Sequence, residues 1–200
     1  LEFHPVLIWS FFLGLILGSI LLMVKQIKGK RSIVIIAGLL GMLLAAGVGF
    51  LPVGEDTSTL PYLFLSGALA ICAMILPGIS GSFILVILGS YEPILQAVHQ
   101  RDLKTIAVVG VGAIIGLLSF ARILKWFFHR YPNTTLALMT GFIAGSIPAV
   151  WPWKDVVSGS LYLPSLGLES DQLLIALLLS LLGLFLIIGL EKASKLGNTN

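Results

Sequence analysis

Charge is what this sequence lacks most. Only 10% of its 200 residues are Asp, Glu, Lys or Arg, where a water-soluble domain carries roughly 25%. With 58% hydrophobic residues and a mean hydropathy of +1.06, much of the chain has to face lipid. Sulfur is equally scarce. Cys72 is the single cysteine, set in an apolar run, which excludes an intrachain disulfide and a cysteine-cluster metal site. It reads as a small buried hydrophobe. His4 and His99 have no second histidine or acid at ligand spacing, so no metal and no cofactor is expected. An initiator methionine is missing too, the chain beginning Leu-Glu-Phe-His. Its first apolar run is too long for a signal-peptide core, lacks a small-residue cleavage pattern and has its basic flank after the run. That run reads as a true span, and the chain as the later part of a longer protein.

The net charge of +3 does not point to nucleic acid, because the basic residues sit in short clusters between apolar runs. This is the pattern of topology control and contact with anionic lipid headgroups. Five uncharged stretches approach or reach the about 17–25 residues that a crossing needs: Pro5–Val24, Ser32–Gly54, Thr105–Ala121, Tyr131–Trp153 and Gln172–Leu190. A sixth, Thr57–Tyr91, runs for 35 residues, too long for one span and tight for two. Pro77-Gly78 lies near its middle, where proline removes a backbone donor and glycine loosens the helix. The stretch therefore divides into two short helices, Pro61–Leu76 and Phe83–Val98, each about 24 Å long, meeting at Pro77–Ser82 inside the membrane.

Counting charges sets the parity of this broken segment. If it returns the chain to the side it came from, Lys25, Lys28, Lys30, Arg31, Arg122, Lys125, Arg130, Lys192 and Lys195 share one side, leaving Arg101, Lys104 and Lys154 on the other. A single crossing there divides the twelve seven to five. The positive-inside rule favours the hairpin. Glu55-Asp56 and the Trp151-Pro152-Trp153 turn are then outside, the tryptophans suited to an interfacial belt. The glycine pairs Gly14/Gly18, Gly112/Gly116 and Gly141/Gly145 have small-xxx-small spacing and read as tight helix packing.

Irregular backbone at membrane depth survives only where protein buries it or it lines a cavity. Pro77–Ser82 would leave amides free at the start of the following helix, and such ends suit a phosphate or carboxylate. Gly78 and Gly81 let a ligand approach, and Ser80 and Ser82 add hydroxyl donors. The plainer reading is a proline kink with Ser82 as N-cap. Glu92 either faces the cavity as a proton or cation acceptor or marks a helix end at the interface. Arg122, Lys125, His129 and Arg130, around Trp126-Phe127-Phe128, read as a positive-inside anchor. Arg122 alone is placed to pass a polar head between cavity and cytoplasm.

Cys72-Ala-Met-Ile-Leu-Pro-Gly-Ile-Ser-Gly-Ser-Phe83, followed by Leu88-Gly-Ser-Tyr-Glu-Pro-Ile-Leu95, resembles the undecaprenyl-phosphate translocase family of polytopic bacterial membrane proteins. His4–Phe12, Trp126–Tyr131, Leu138–Phe142 and Trp151–Trp153 look like further segments of it, so the resemblance covers nearly the whole chain. It implies an all-α fold of about five full transmembrane helices plus the re-entrant pair, in one domain over residues 1–200. It implies a flippase returning undecaprenyl phosphate across the cytoplasmic membrane for envelope-precursor recycling, not an enzyme. On that resemblance the substrate-binding residues are Pro77, Gly78, Ser80, Gly81 and Ser82, joined by Tyr91, Glu92 and Arg122. Family members carry an earlier Pro-Gly-x-Ser-Gly copy in a first half related by inverted repetition. None precedes Pro77, so the chain is expected to be one half of that fold.

Two other functions fit the same segment. An undecaprenyl-pyrophosphate phosphatase would carry arginine where Gly81 stands, because phosphoryl chemistry needs charge stabilised as it develops. An ion-coupled carrier of a small anion could use the same broken-helix geometry. The partners expected are a polyprenyl-phosphate lipid and membrane lipids, with no nucleic acid. Homo-oligomerisation and pairing with a missing N-terminal half both remain compatible.

Overall fold

The computed structural model describes residues 5–29, 31–153 and 170–197. His4, Lys30 and Lys154, named above, lie outside them. Every regular element described is helical: α1 Pro5–Gln26, α2 Arg31–Val48, α3 Leu60–Ile75, α4 Gly81–Ile87, α5 Tyr91–His99, α6 Leu103–Arg130, α7 Pro132–Gly145 and α8 Ser170–Gly197, with a 3₁₀ turn at Ile147–Val150. Four spans among the described residues are long and apolar enough to cross a membrane: Val6–Gln26, Leu103–Arg130, Pro132–Val150 and Leu173–Ala193. Helix α2, a shorter apolar helix of 18 residues, lies at the lower end of the length a crossing needs. The chain is a multi-pass membrane protein.

Two compact units form, one from Leu1–Lys28 with Ile143–Asn200 and the other from Gly29–Phe142. In the first, α1 packs along α8. Gly14 abuts Ser180, and a Cβ on Gly18 would stand 3.2 Å from the Leu184 carbonyl oxygen. Both contacts advance together along the chain, so the two helices are parallel. Ser10 and Ser19 donate to the carbonyls of Val6 and Leu15 on their own helix, at 2.7 and 2.9 Å. Hydroxyls are thereby satisfied without water.

The second unit holds two more parallel pairs. Gly38 and Gly41 of α2 meet Ala137 and Leu138 of α7, and Gly141 meets Gly38. Gly112 and Gly116 of α6 lie against Phe64 and Ala68 of α3. The expected small-residue packing is thus met, and backbones approach closely where no side chain intervenes. Parallel pairing has a topological consequence. Two parallel spanning helices need an odd number of crossings between them, and α6 already makes one between α2 and α7. If α2 is a full crossing, the chain between α2 and α6 crosses an even number of times.

The hairpin that meets this condition is α3 with α4. Gly81 lies beside Ala70 and Met74, while further on the Tyr62 hydroxyl donates to the Leu88 carbonyl at 2.8 Å. The α4 strand of the hairpin thus runs antiparallel to α3. One expectation needs correction: Phe83–Val98 is not a single helix. It breaks at Leu88–Ser90, and α4 and α5 are bent by 108°. Gly89 at φ +61° makes the turn, and Pro93, which suits the first turn of a helix, sits near the start of α5. Helix limits shift as well. Helix α6 continues past Ala121 to Arg130, because charge ends a span but not a helix. Helix α7 stops at Gly145, short of Trp153, ahead of Pro148 and Pro152.

Candidate functional site

The tip of the hairpin is Leu76–Ser80. Leu76 is extended, with φ −76° and ψ 125°, as a residue before proline must be. Gly78 at φ +91° then turns the chain, a conformation nearly closed to other residues. Helix α4 begins at Gly81 with Ser80 at the N-cap, two positions earlier than expected, and no side chain caps it. The Ser80 and Ser82 hydroxyls bond only each other, at 2.8 Å, and both residues are exposed. Ile84 N–H is the first in α4 to find an acceptor, Ser80 O at 3.1 Å. Among the described residues, no acceptor meets the amides of Gly81, Ser82 and Phe83. Three amides and one of the two hydroxyls are therefore left as open donors at one exposed point. Helix α4 has only seven residues, so its dipole adds little and the donors themselves carry the attraction for an anion.

Close packing fixes where this tip stands. A Cβ on Gly81 would lie 2.9 Å from the Ala70 carbonyl oxygen, so only glycine lets α4 lie this close to α3. Against α6, helix α3 keeps a parallel register offset by 42 to 48 residues, Gly67 with Val109, Phe64 with Gly112 and Ala68 with Gly116. Carried on, that register sets Arg122 level with the stretch from Met74 to Ser80. Arg122 thus stands at the height of the tip. It is exposed, lies off the stripe of α6 that faces α3, and makes no hydrogen bond or ion pair among the described residues.

Tyr91 and Glu92 are not brought to the tip. The break at Leu88–Ser90 places them at the start of α5, beside the first turns of α3, where Ser90 bonds Ser66. Nine residues of chain, about 13 Å at helical rise, separate Ser90 from Gly81. Tyr91 and Glu92 are exposed, and the Glu92 carboxylate accepts from the Gln96 amide at 3.5 Å. Glu92 thus occupies a helix start, the second of the two places its sequence position allowed.

A cavity of about 380 Å³ lies at this open end, lined by Asp56, Ser58, Gln96, Gln100, Asp102 and Thr105 among others. Sequence reasoning missed it, because its residues come from three separate elements and none stands in a motif. Asp102 caps α6, accepting from the amides of Lys104 and Thr105 at 3.1 and 3.4 Å and from the Thr105 hydroxyl at 2.6 Å. These bonds, the Thr105 hydroxyl above all, hold its carboxyl below the usual range.

The family described as undecaprenyl phosphate translocase-like matches residues 1–163. The chain belongs to this family. A relative from Vibrio cholerae, named polyprenyl-phosphate transporter, is 40% identical over 209 aligned positions, covering 96% of this chain and 68% of the relative. Another of the same name, from Staphylococcus aureus, is 32% identical over 167 positions, covering 74% of this chain and 59% of that protein. No solved structure matches the chain.

Proposed function

We propose that this protein carries a polyprenyl phosphate, undecaprenyl phosphate by family, across a bacterial cytoplasmic membrane, with the phosphate held at the hairpin tip. One observation carries the reading: open donors gather on exposed backbone at Gly81–Phe83, with Ser80 and Ser82 beside them. Pro77 and Gly78 shape that turn, and Gly81 seats it against α3. A phosphate oxygen would replace the mutual Ser80–Ser82 bond with charge-assisted ones, each worth about 1.5–3 kcal/mol.

Binding without cleavage suits these residues. No arginine or lysine lies between Lys30–Arg31 and Arg101 in the sequence, so nothing in the tip supplies the charge that phosphoryl transfer demands. Arg122, level with the tip, is the nearest source of positive charge along the α3–α6 register and would receive the head group as it leaves. Tyr91 and Glu92, at the far end of α4, would meet the substrate only at another stage of its passage. With the basic side of the charge count facing the cytoplasm, the hairpin opens outward and its tip points inward.

Transport of labelled polyprenyl phosphate between the leaflets of proteoliposomes, using the full-length protein, tests this reading. Ser80→Ala with Ser82→Ala should weaken phosphate-dependent transport by about tenfold or more, the equivalent of roughly 1.4 kcal/mol. Movement no faster than in empty vesicles would sink the proposal. Release of inorganic phosphate from polyprenyl pyrophosphate would replace it with an enzyme.

A further inference from the structure

Helix α6 has 28 residues, about 42 Å of helix, against a hydrocarbon layer of about 30 Å. Its uncharged stretch, Thr105–Ala121, ends where four basic residues begin: Arg122, Lys125, His129 and Arg130. Arg122, Lys125 and His129 follow i, i+3, i+7 spacing and so fall within about 60° of one face. That face is turned roughly 130° away from Gly112 and Gly116, which pack on α3. All four residues are exposed. Like charges on one helical face repel, and the sequence offers no acid from Leu103 to Lys154 to offset them. The described acids of this unit, Glu55, Asp56, Glu92 and Asp102, all belong to its other end, near the starts of α3 and α6.

Aromatic rings complete the surface. Trp126, 57% exposed, sits at i+4 from Arg122, with its ring 5.0 Å from Phe127 and 6.1 Å from Tyr131. The Arg130 guanidinium lies over the Tyr131 ring at 5.7 Å. Such rings settle at the boundary between acyl chains and headgroups, which is the depth at which the cations need counter-charges.

We propose that this end of α6 binds the headgroup of an anionic phospholipid of the surrounding bilayer. The phosphodiester meets Lys125 and His129 on the outward face, with Arg130 adding charge at the end of the helix, and the acyl chains lie against Trp126 and Phe127. The site is separate from the hairpin tip, which offers neutral donors to a monophosphate, and it does not rest on the transport reading. A local excess of anionic lipid would anchor the cytoplasmic end of the helix that supports the hairpin.

Trp126 is the reporter. The full-length protein is placed in phosphatidylcholine vesicles containing phosphatidylglycerol, and bromine is put on the acyl chains of one lipid or the other. The Trp126 signal is taken two ways: in a chain with Trp9, Trp151 and Trp153 changed to Phe, and as the difference between the unaltered protein and Trp126→Phe. Brominated phosphatidylglycerol should quench as though enriched about fivefold over its bulk fraction, the effect of one cation at a membrane surface. Lys125→Gln with Arg130→Gln, or raised salt, should return it to the bulk value. Quenching proportional to bulk fraction for both lipids would overturn the proposal. Displacement of brominated phosphatidylglycerol by equimolar polyprenyl phosphate would also overturn it, by making the patch a substrate site.

Discussion

Two breaks interrupt the segment between α3 and α6, and they are built in opposite ways. The break at Leu88–Ser90 is closed. Gly89 and Ser90 are buried, and their amides meet Val86 and Leu85 carbonyls at 3.0 and 2.9 Å. Gly54 and Thr57 amides cap Ile87 and Gly89 from outside at 2.8 and 3.0 Å, and Ser90 Oγ, fully buried, bonds Ser66 Oγ at 2.7 Å. The break at Pro77–Ser80 is open, with its one internal amide bond, Ile79 to Leu76, stretched to 3.4 Å. A break with every polar group satisfied serves the architecture. One left with open, exposed donors takes its partners from outside the protein, whether water or an anion.

The largest effect should come from closing off Gly89. Its φ of +61° disfavours any side chain, and an added Cβ would run into the Glu55 backbone. Gly89→Ala should lower stability by about 2–4 kcal/mol, combining left-handed strain with overpacking. Thermal unfolding in detergent measures it. A loss under 1 kcal/mol would mean the break is not held closed.

Next is the Ser66–Ser90 pair. Ser66→Ala should leave Ser90 with only its long bond to Leu88 at 3.4 Å and lower stability by about 1 kcal/mol, near what interhelical hydroxyls contribute in membranes. A double-mutant cycle with Ser90→Ala should show coupling of similar size, so that the second loss is smaller than the first. At the tip the pattern reverses. The Ser80→Ala and Ser82→Ala pair that impairs transport should change stability by no more than about 0.5 kcal/mol. Equal stability losses at both sites would erase the distinction between them.

Why one break was legible in the sequence and the other was not follows from the same contrast. Pro77-Gly78 announces itself, since proline cannot continue the ladder, and its position in a 35-residue uncharged run gave the hairpin and its parity. Leu88-Gly89-Ser90 lies in apolar sequence with no proline inside it, and its turn depends on Gly54, Thr57, Tyr62 and Ser66, contributed by elements 24 residues or more away. A local hint was present: Ser90, Glu92 and Pro93 form a helix-start signature. A single helix over Phe83–Val98 would carry Tyr91 and Glu92 on the helix that starts at the tip, whereas the turn puts them on α5. Arg122 was found by its charge alone. Its level beside the tip depends on the α3–α6 register, which only glycine-mediated packing sets.

A third break, Gln100–Asp102 before α6, sharpens the comparison because it is both satisfied and exposed to water. Arg101 takes φ 55°, the Asp102 amide meets the Ala97 carbonyl at 2.8 Å, and the Asp102 carboxylate caps α6. Those bonds lower its pKa in the folded state. The sign follows directly: a carboxyl whose folded pKa lies below its unfolded value contributes stability above the unfolded value, and loses it as pH falls through the folded one. The first turn of α6 should therefore hold its Lys104 and Thr105 amides against hydrogen exchange at neutral pH and release them in acid. Asp102→Ala should exchange faster at neutral pH and converge with the unaltered protein once pH drops below the carboxylate range. Asp102→Asn, still able to accept both amides, should stay protected without that pH dependence. Because water can replace a lost cap here, this should be the smallest of the effects. An Asp102→Ala variant as damaging as Gly89→Ala would show that exposure gives no relief, and that the open tip owes its freedom to something other than solvent.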